Sequence, residues 1–171
     1  MSKPVQVIVS EAYQTGYKYT LQAPMGQNFD PGFKPGLTPK EMLQLGIFGG
    51  DYFQEIPDEF PADWFEGVSL AYPAKAKASL NFFKVNASQP LAEWQRKGWI
   101  NDEDPKGWFL WYCRYYMGRR IPDEDMRQIK RWRAFRRHAQ QVTYYCQAGD
   151  WSCRPHQRQA LLHWAYDSRT L

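Results

Sequence analysis

The chain has 171 residues, 43% of them hydrophobic, which is enough for one domain with a sizeable core and excludes a disordered chain. Aromatic residues make up 17%, so much of the apolar material consists of large rings that suit both cores and contact surfaces. The net charge of +4 is unevenly distributed: residues 1–110 carry ten Lys and Arg against thirteen Asp and Glu, and residues 111–171 carry twelve against five. The C-terminal part is expected to present a basic face to an anionic partner, with a solvated helix surface as the alternative.

The cysteines and the hydropathy pattern bear on the compartment. No apolar run approaches eighteen residues, and the N-terminus lacks the hydrophobic region of a signal peptide. We therefore expect a cytoplasmic protein without a membrane-spanning segment. Cys113, Cys146 and Cys153 are odd in number and lack Cys-x-x-Cys spacing, which fits a reducing compartment. Cys146 and Cys153 are accordingly predicted to be reduced and to bind no zinc.

The N-terminal part, residues 1–37, is expected to form a small β-hairpin and a long loop. Alternating and β-branched residues favour two short strands joined near Thr15 and Gly16. Three prolines and three glycines follow within residues 24–36, and long loops in compact domains are more often functional than idle.

The remaining residues, 38–171, have the pattern of a helical part. Thr38 and Glu41 form a capping box at the first helix, and segments 58–64 and 71–83 are expected to form short helices. Ser88 and Asp104 are predicted to cap two further helices. Three acidic residues after Pro122 mark another helix start, and a last helix is expected to follow Ser152. The helix after Pro122 is expected to run to about Cys146. The predicted fold is mainly α, with five to seven helices and a small N-terminal β-hairpin in a single domain over residues 1–171.

Residues 107–120 hold six aromatic residues and three arginines. Trp108, Trp111, Tyr112 and Tyr115 recur at helical spacing on one face, and other apolar residues cover most of the circumference. A helix that is apolar nearly all round is normally buried, so most of these rings are predicted to be core. Arg114 lies among them and must stack on a ring, pair with a carboxylate or face a ligand.

The next helix has an apolar stripe and a basic face. The stripe contains Ile129, Trp132, Ala139 and Val142. The basic face is a candidate nucleic-acid-binding surface, formed by Arg127, Lys130, Arg131, Arg137 and His138.

A second candidate site is a ligand pocket. Arg136 falls at the margin of the apolar stripe and is expected to be as poorly exposed as Arg114. Two arginines among rings could bind a phosphate or carboxylate, with Trp111 and Tyr115 as aromatic neighbours. Alternatively, they form structural ion pairs with acids from the N-terminal half, such as Asp51 or Glu55.

Signatures of common enzyme classes are missing from the sequence. It contains no phosphate-binding glycine loop, no dinucleotide fingerprint, no His-Glu-x-x-His and no Gly-x-Ser-x-Gly. His156 and His163 lie about 10 Å apart along a helix, too far to share a metal ion. No metal, cofactor or catalytic residue is therefore predicted.

Several segments resemble an uncharacterised family of small proteins. The resemblance is carried by Asp104-Pro105-Lys106-Gly107-Trp108-Phe109 through Arg119-Arg120, by residues 38–43 and 127–132, and by the closing stretch 153–168. It spans most of the chain, but that family has no established activity, so the resemblance implies no site residues.

The leading functional hypothesis is a nucleic-acid-associated protein, one that could act on DNA, because basic and aromatic groups together offer phosphate contacts and stacking surfaces. The alternative is an enzyme or binder that holds an anionic small molecule in an aromatic pocket with arginines. A third hypothesis is a basic module that docks onto an acidic protein.

Overall fold

The computed structural model describes residues 3–171; Met1 and Ser2, at the start of the predicted N-terminal part, lie outside this range. The described chain begins with strands β1 (Val5–Glu11) and β2 (Gln14–Leu21), which pair antiparallel. The predicted N-terminal hairpin is therefore confirmed.

The turn of this hairpin differs from the prediction. Ala12 and Tyr13 join the strands, whereas the sequence pointed to Thr15 and Gly16. Gly16 has a φ of +86° and lies where the pairing register shifts. The glycine thus accommodates a bulge inside β2, because it adopts the left-handed region without steric cost.

Six α-helices follow within residues 3–171. They are α1 (Pro39–Leu45), α2 (Leu91–Arg96), α3 (Trp108–Met117), α4 (Pro122–Ala134), α5 (Arg136–Tyr145) and α6 (Pro155–Leu162). Short 3-10 helices cover Phe48–Gly50, Ala62–Phe65, Ala78–Leu80 and Ser168–Thr170. Helices make up 40% of the chain, and long irregular segments connect them, so the term mainly α applies only loosely.

Two of the predicted helix caps are not formed. The capping box of Thr38 is present at α1, as predicted. By contrast, α2 begins after Pro90 rather than at Ser88, and α3 begins after Gly107. Asp104, predicted as a cap of α3, lies instead in a buried ion cluster described below.

The long helix predicted from Pro122 to Cys146 is divided at Phe135 into α4 and α5. The ring of Phe135 stacks on Trp164, with centroids 5.1 Å apart and planes 18° from parallel. This tertiary contact lies at the break. Arg136, the first residue after the interruption, is exposed, so its predicted burial is wrong.

Helix α3 forms the centre of the core, as the pattern of its rings predicted. All residues from Trp108 to Tyr115 are buried. Phe33, from the long N-terminal loop, is 2% exposed and inserts among rings of α3 and α4. Its ring centroid lies within 4.9–6.4 Å of those of Trp108, Trp111, Tyr112, Tyr115 and Trp132. This part of the loop therefore packs the core.

Candidate functional site

A buried ion cluster holds Arg114. Its Nε donates to Glu59 Oε1 at 2.6 Å and its Nη1 donates to Asp104 Oδ1 at 3.0 Å, and all three side chains are fully buried. Arg119 Nη2 donates to the second oxygen of Asp104 at 2.6 Å. Two arginines thus neutralise two carboxylates between α3, the preceding loop and the segment before Ala62.

The β-hairpin closes this cluster. Tyr13 and Tyr19 each donate a hydroxyl hydrogen bond of 2.8 Å to Glu59, and Gln14 Oε1 accepts from Arg114 at 2.7 Å. Burial and the charge of Glu59 raise the pKa of both tyrosines, so the phenols remain protonated donors. Since Arg114 is committed to these partners, the structure favours the ion-pair interpretation, with Glu59 and Asp104 as the acids rather than Asp51 or Glu55.

The four residues predicted to hold a ligand are not brought together. Trp111 and Tyr115 are 0% and 2% exposed and stack on each other at 5.0 Å. Trp111 Nε1 donates to Asp125 at 2.9 Å. Arg114 is enclosed by the ion cluster, and Arg136 is exposed on α5. The predicted pocket is therefore not formed by these side chains.

The predicted basic face is only partly available. Arg127 pairs with Glu124 at 2.7 Å, whereas Lys130 and Arg137 are exposed. His138 Nδ1 lies 2.9 Å from Gln157 Nε2, and burial and the charge of Arg137 lower its pKa. The fifth member, Arg131, turns toward a cleft.

This cleft has a volume of about 510 Å³ and lies between α2, the start of α3, the α4–α5 break and the end of α6. Eight aromatic side chains contribute to its walls: Phe48, Tyr52, Trp94, Trp99, Trp108, Phe109, Phe135 and Trp164. Its size is within the range of small-molecule pockets.

The charged groups of the cleft are all basic. Lys97, Arg131 and Arg137 line it, and no described lining residue is Asp or Glu. The guanidinium of Arg131 lies 5.4 Å from the ring centroid of Trp164 and 5.8 Å from that of Trp99. Burial, and secondarily the charge of Arg127, lowers the pKa of Arg131 to about 10. The guanidinium therefore remains charged at neutral pH without a carboxylate in the cleft.

A buried histidine also lines the cleft. His163 is 4% exposed, and its ring lies 4.2 Å from that of Phe48. Its Nε2 accepts a hydrogen bond from the Phe48 backbone N–H at 3.2 Å. Burial lowers the pKa of His163 to about 3, so the imidazole is neutral at physiological pH. Phe48 has a φ of +52°, an uncommon conformation for a bulky residue and one often associated with functional sites.

The cysteine prediction is wrong. Cys146 and Cys153 form a disulfide that joins the end of α5 to the segment before α6. The intervening Gly-Asp-Trp turn brings the two residues together, with their Cα atoms 5.8 Å apart, and no Cys-x-x-Cys spacing is required. The inference of a reducing compartment from cysteine spacing therefore loses its basis. Cys113 is free and buried, and burial raises the pKa of its thiol, which disfavours reactivity.

Residues 3–171 hold neither a candidate metal cluster nor a candidate membrane-spanning helix. Within that range, His, Cys, Asp and Glu side chains form no group of three or more that could hold a metal ion. In the same part of the chain, no helix is both long enough and apolar enough to cross a membrane.

Comparison with protein-family models finds no match, and the same is true of curated proteins and of solved structures. No related protein therefore suggests a function for this chain, and the functional argument rests on the geometry of the cleft.

Sequence reasoning missed most of the cleft. Arg131 and Arg137 were identified, but as members of a flat basic face. Phe48, Trp99 and His163 come from segments far apart in the sequence, and no local pattern relates them. The cluster of basic and aromatic residues at 130–137 was the nearest available signal in the sequence.

Proposed function

We propose that the protein binds a planar, negatively charged small molecule in the aromatic cleft. The main support for this proposal is the composition of the cleft. Its walls are aromatic, and every charged residue among the described lining residues is basic. This proposal keeps the ligand chemistry of the small-molecule hypothesis and moves the site to other side chains.

The charge balance supports an anion rather than a neutral ligand. Arg131 is half-buried against two tryptophans, and Glu124, the carboxylate whose charge acts on it, is paired with Arg127 at 2.7 Å. Burial of a guanidinium without a carboxylate partner of its own is unfavourable. Its hydrogen bonds go to neutral groups, the carbonyl of Trp99 at 3.2 Å and Gln128 Oε1 at 2.9 Å. A ligand carboxylate or phosphate would provide the missing negative charge through charge-assisted hydrogen bonds.

The aromatic walls support a flat ligand. Trp164 packs between Trp108 at 4.9 Å and Phe135 at 5.1 Å, so these rings hold one another in place. Rings fixed in this way form a rigid apolar wall at little cost in side-chain entropy, which favours binding of a planar molecule.

The direct test is calorimetric titration with 2-naphthoate, a planar aromatic carboxylate, beside the neutral alcohol 2-naphthalenemethanol. We expect 2-naphthoate to bind at least about tenfold more tightly, since charge-assisted hydrogen bonds are stronger than neutral ones. Equal affinity for acid and alcohol would contradict an anion site. Absence of binding for both compounds would contradict a ligand-binding cleft of this kind.

Neighbouring arginines provide a matched control. Arg137 lines the cleft, whereas Arg136 is exposed beside it and does not line it. Arg131→Gln and Arg137→Gln should each weaken 2-naphthoate binding, Arg131→Gln by roughly tenfold. Arg136→Gln should leave the affinity unchanged.

Nucleic-acid binding is a second candidate, supported by one specific observation. Lys130, Arg136 and Arg137 are exposed on α4 and α5, and no carboxylate pairs with them in residues 3–171. Cations of this kind can neutralise phosphates and release counterions.

This candidate is tested by the salt dependence of oligonucleotide binding. Neutralising Lys130 and Arg137 together should reduce the slope of log K against log salt by about two, for DNA or RNA. Arg136→Gln distinguishes the two candidates, since it should weaken oligonucleotide binding and leave 2-naphthoate binding intact. No binding of either nucleic acid at low salt would eliminate this candidate.

A further inference from the structure

The tautomer of His163 indicates which ligand the cleft selects. This inference rests on the proposed function, because it concerns the ligand of the same cleft. His163 lies at the end of α6 and lines the cleft although 96% of its surface is covered.

One ring nitrogen of His163 is fixed as an acceptor. Its Nε2 lies 3.2 Å from the Phe48 backbone nitrogen and 2.9 Å from Gln159 Nε2. The orientation of the Gln159 amide is itself fixed, because its Oε1 accepts from Phe83 N at 2.9 Å and its Nε2 also donates to Gly46 O at 3.0 Å. Since two N–H groups point at Nε2, the proton of the neutral imidazole belongs on Nδ1.

The other ring nitrogen has no partner. Over residues 3–171, no protein atom forms a hydrogen bond with Nδ1 of His163, and Nδ1 is not among the enclosed polar atoms. An atom with no partner that is absent from the enclosed ones keeps some exposed surface, and the cleft is the cavity that His163 lines. An occupant of the cleft that displaces water from this group would leave a buried donor unpaired unless it accepts the hydrogen, so an occupant with an acceptor is favoured.

The surroundings keep this group a donor. The elements packed around it supply Phe48, Tyr52 and Gln159, and the charged groups of the cleft are Lys97, Arg131 and Arg137. None of these is an acid that would stabilise an imidazolium ion. A neutral imidazole can act as a hydrogen-bond donor to a ligand without exchanging a proton with it.

We propose that the ligand is a planar aromatic anion that also carries a neutral hydrogen-bond acceptor, a ring nitrogen or a carbonyl oxygen, and that this acceptor binds the Nδ1–H group of His163. The basic side chains select the acid group, the rings select planarity, and His163 selects a heteroaromatic or keto compound over a hydrocarbon of the same shape.

The test compares 2-naphthoate with quinoline carboxylates (3-, 6- and 7-isomers), in which a ring nitrogen replaces one C–H. At least one isomer should bind the wild-type protein about tenfold more tightly than 2-naphthoate, because it pairs a donor that the hydrocarbon leaves unpaired. If 2-naphthoate binds and no isomer improves on it, the role of His163 is refuted and the proposed function stands. If no aromatic carboxylate binds, both are refuted.

Two substitutions separate the ring nitrogens of His163. His163→Gln places an amide oxygen near the position of Nε2, which preserves the acceptor for Phe48 and Gln159 and removes the Nδ1 donor. It should abolish the preference for quinoline carboxylates, measured as the ratio of quinoline carboxylate affinity to 2-naphthoate affinity in the same variant. His163→Asn keeps a donor near Nδ1 and should retain the preference. A preference that survives His163→Gln would refute the proposal.

A spectroscopic measurement on the wild-type protein covers the case in which a variant fails to fold. Nitrogen-15 NMR of labelled histidine distinguishes the two neutral tautomers of His163. The expected result is a protonated Nδ1 and an unprotonated Nε2, unchanged between pH 5 and 8. A proton on Nε2, or titration in that range, would refute the proposal.

Discussion

Two sets of arginines lie among aromatic rings in this protein, and they differ in what balances their charge. Arg114 and Arg119 are enclosed with Glu59 and Asp104, so that two positive and two negative charges cancel inside the core. Arg131 and Arg137 face a cleft of about 510 Å³ in which no described lining residue is acidic. Tyrosine rings lie beside Arg114 and Arg119, and tryptophan rings lie beside Arg131. The presence of carboxylates therefore distinguishes a structural arginine from one available to a ligand.

Disruption of the ion cluster around Arg114 should have the largest effect on stability. Arg114→Met leaves the Glu59 carboxylate buried without a cation and leaves Asp104 with Arg119 alone, so the unfolding free energy should fall by roughly 3–5 kcal/mol. Urea denaturation monitored by tryptophan fluorescence measures the change. Arg136→Met is the matched control on an exposed site and should change stability by less than about 0.5 kcal/mol. Equal melting of both variants would mean that the ion cluster contributes nothing.

Acid should destabilise the protein through His163, which lines the cleft beside Arg131 and Arg137. The pKa of His163 is about 3 in the folded protein against 6.5 ordinarily, so the unfolded chain binds the proton first as pH falls. This contribution to stability is present above pH 6.5 and is lost progressively as pH decreases toward 3. Between pH 6.5 and 4.5 the wild-type protein should lose about 2 kcal/mol more than His163→Gln, which cannot titrate there. Parallel pH profiles for the two proteins would contradict the burial of the imidazole.

The disulfide includes no residue of either set of arginines, so its removal should affect stability without affecting ligand binding. Cys146→Ser with Cys153→Ser should lower stability by about 2 kcal/mol, the entropic value for closing a loop across a separation of seven residues. Binding of 2-naphthoate should be retained. Mass spectrometry after alkylation of unreduced, denatured protein should show one modified cysteine, Cys113. Three modified cysteines would show that the bond is absent.

Removal of a cleft arginine should have the smallest effect on stability. Arg131→Met should change the unfolding free energy by less than about 1 kcal/mol, or raise it, because no buried carboxylate is left behind. Ligand affinity should nevertheless fall. Thermal unfolding of Arg114→Met, Arg131→Met and Arg136→Met, measured side by side, tests this prediction. A loss of stability in Arg131→Met as large as that in Arg114→Met would remove the distinction between the two sets of arginines.

The sequence predicts local features of this fold well and long-range ones poorly. The capping box at Thr38 and the buried face of α3 follow from residues within a few turns of one another, and both are confirmed. Asp104 and Arg136 were misplaced for a different reason. A cap residue can bind a distant arginine instead of its helix, and Arg136 directly follows the interruption at Phe135.

The candidate site was predictable only in its chemistry. An arginine among rings was the correct type of group for an anion, but Arg114 and Arg131 cannot be distinguished without knowing where the carboxylates lie. Glu59 reaches Arg114 across 55 residues of sequence, and no periodic pattern encodes such a contact. His163 was considered only as a metal ligand, since its two amide partners are invisible in the sequence.

The insertion of Phe33 into the core has a consequence for how fast the chain folds. This ring meets α3 and α4 across sequence separations of 75 to 99 residues, so the centre of the core cannot form from neighbouring helices alone. The chain must lose the entropy of closing this long loop before the packing of Phe33 can stabilise it. Folding rates fall as the sequence separation between contacting residues grows. The protein is therefore expected to fold more slowly than helical bundles of its size, with the N-terminal loop taking part in the rate-limiting step.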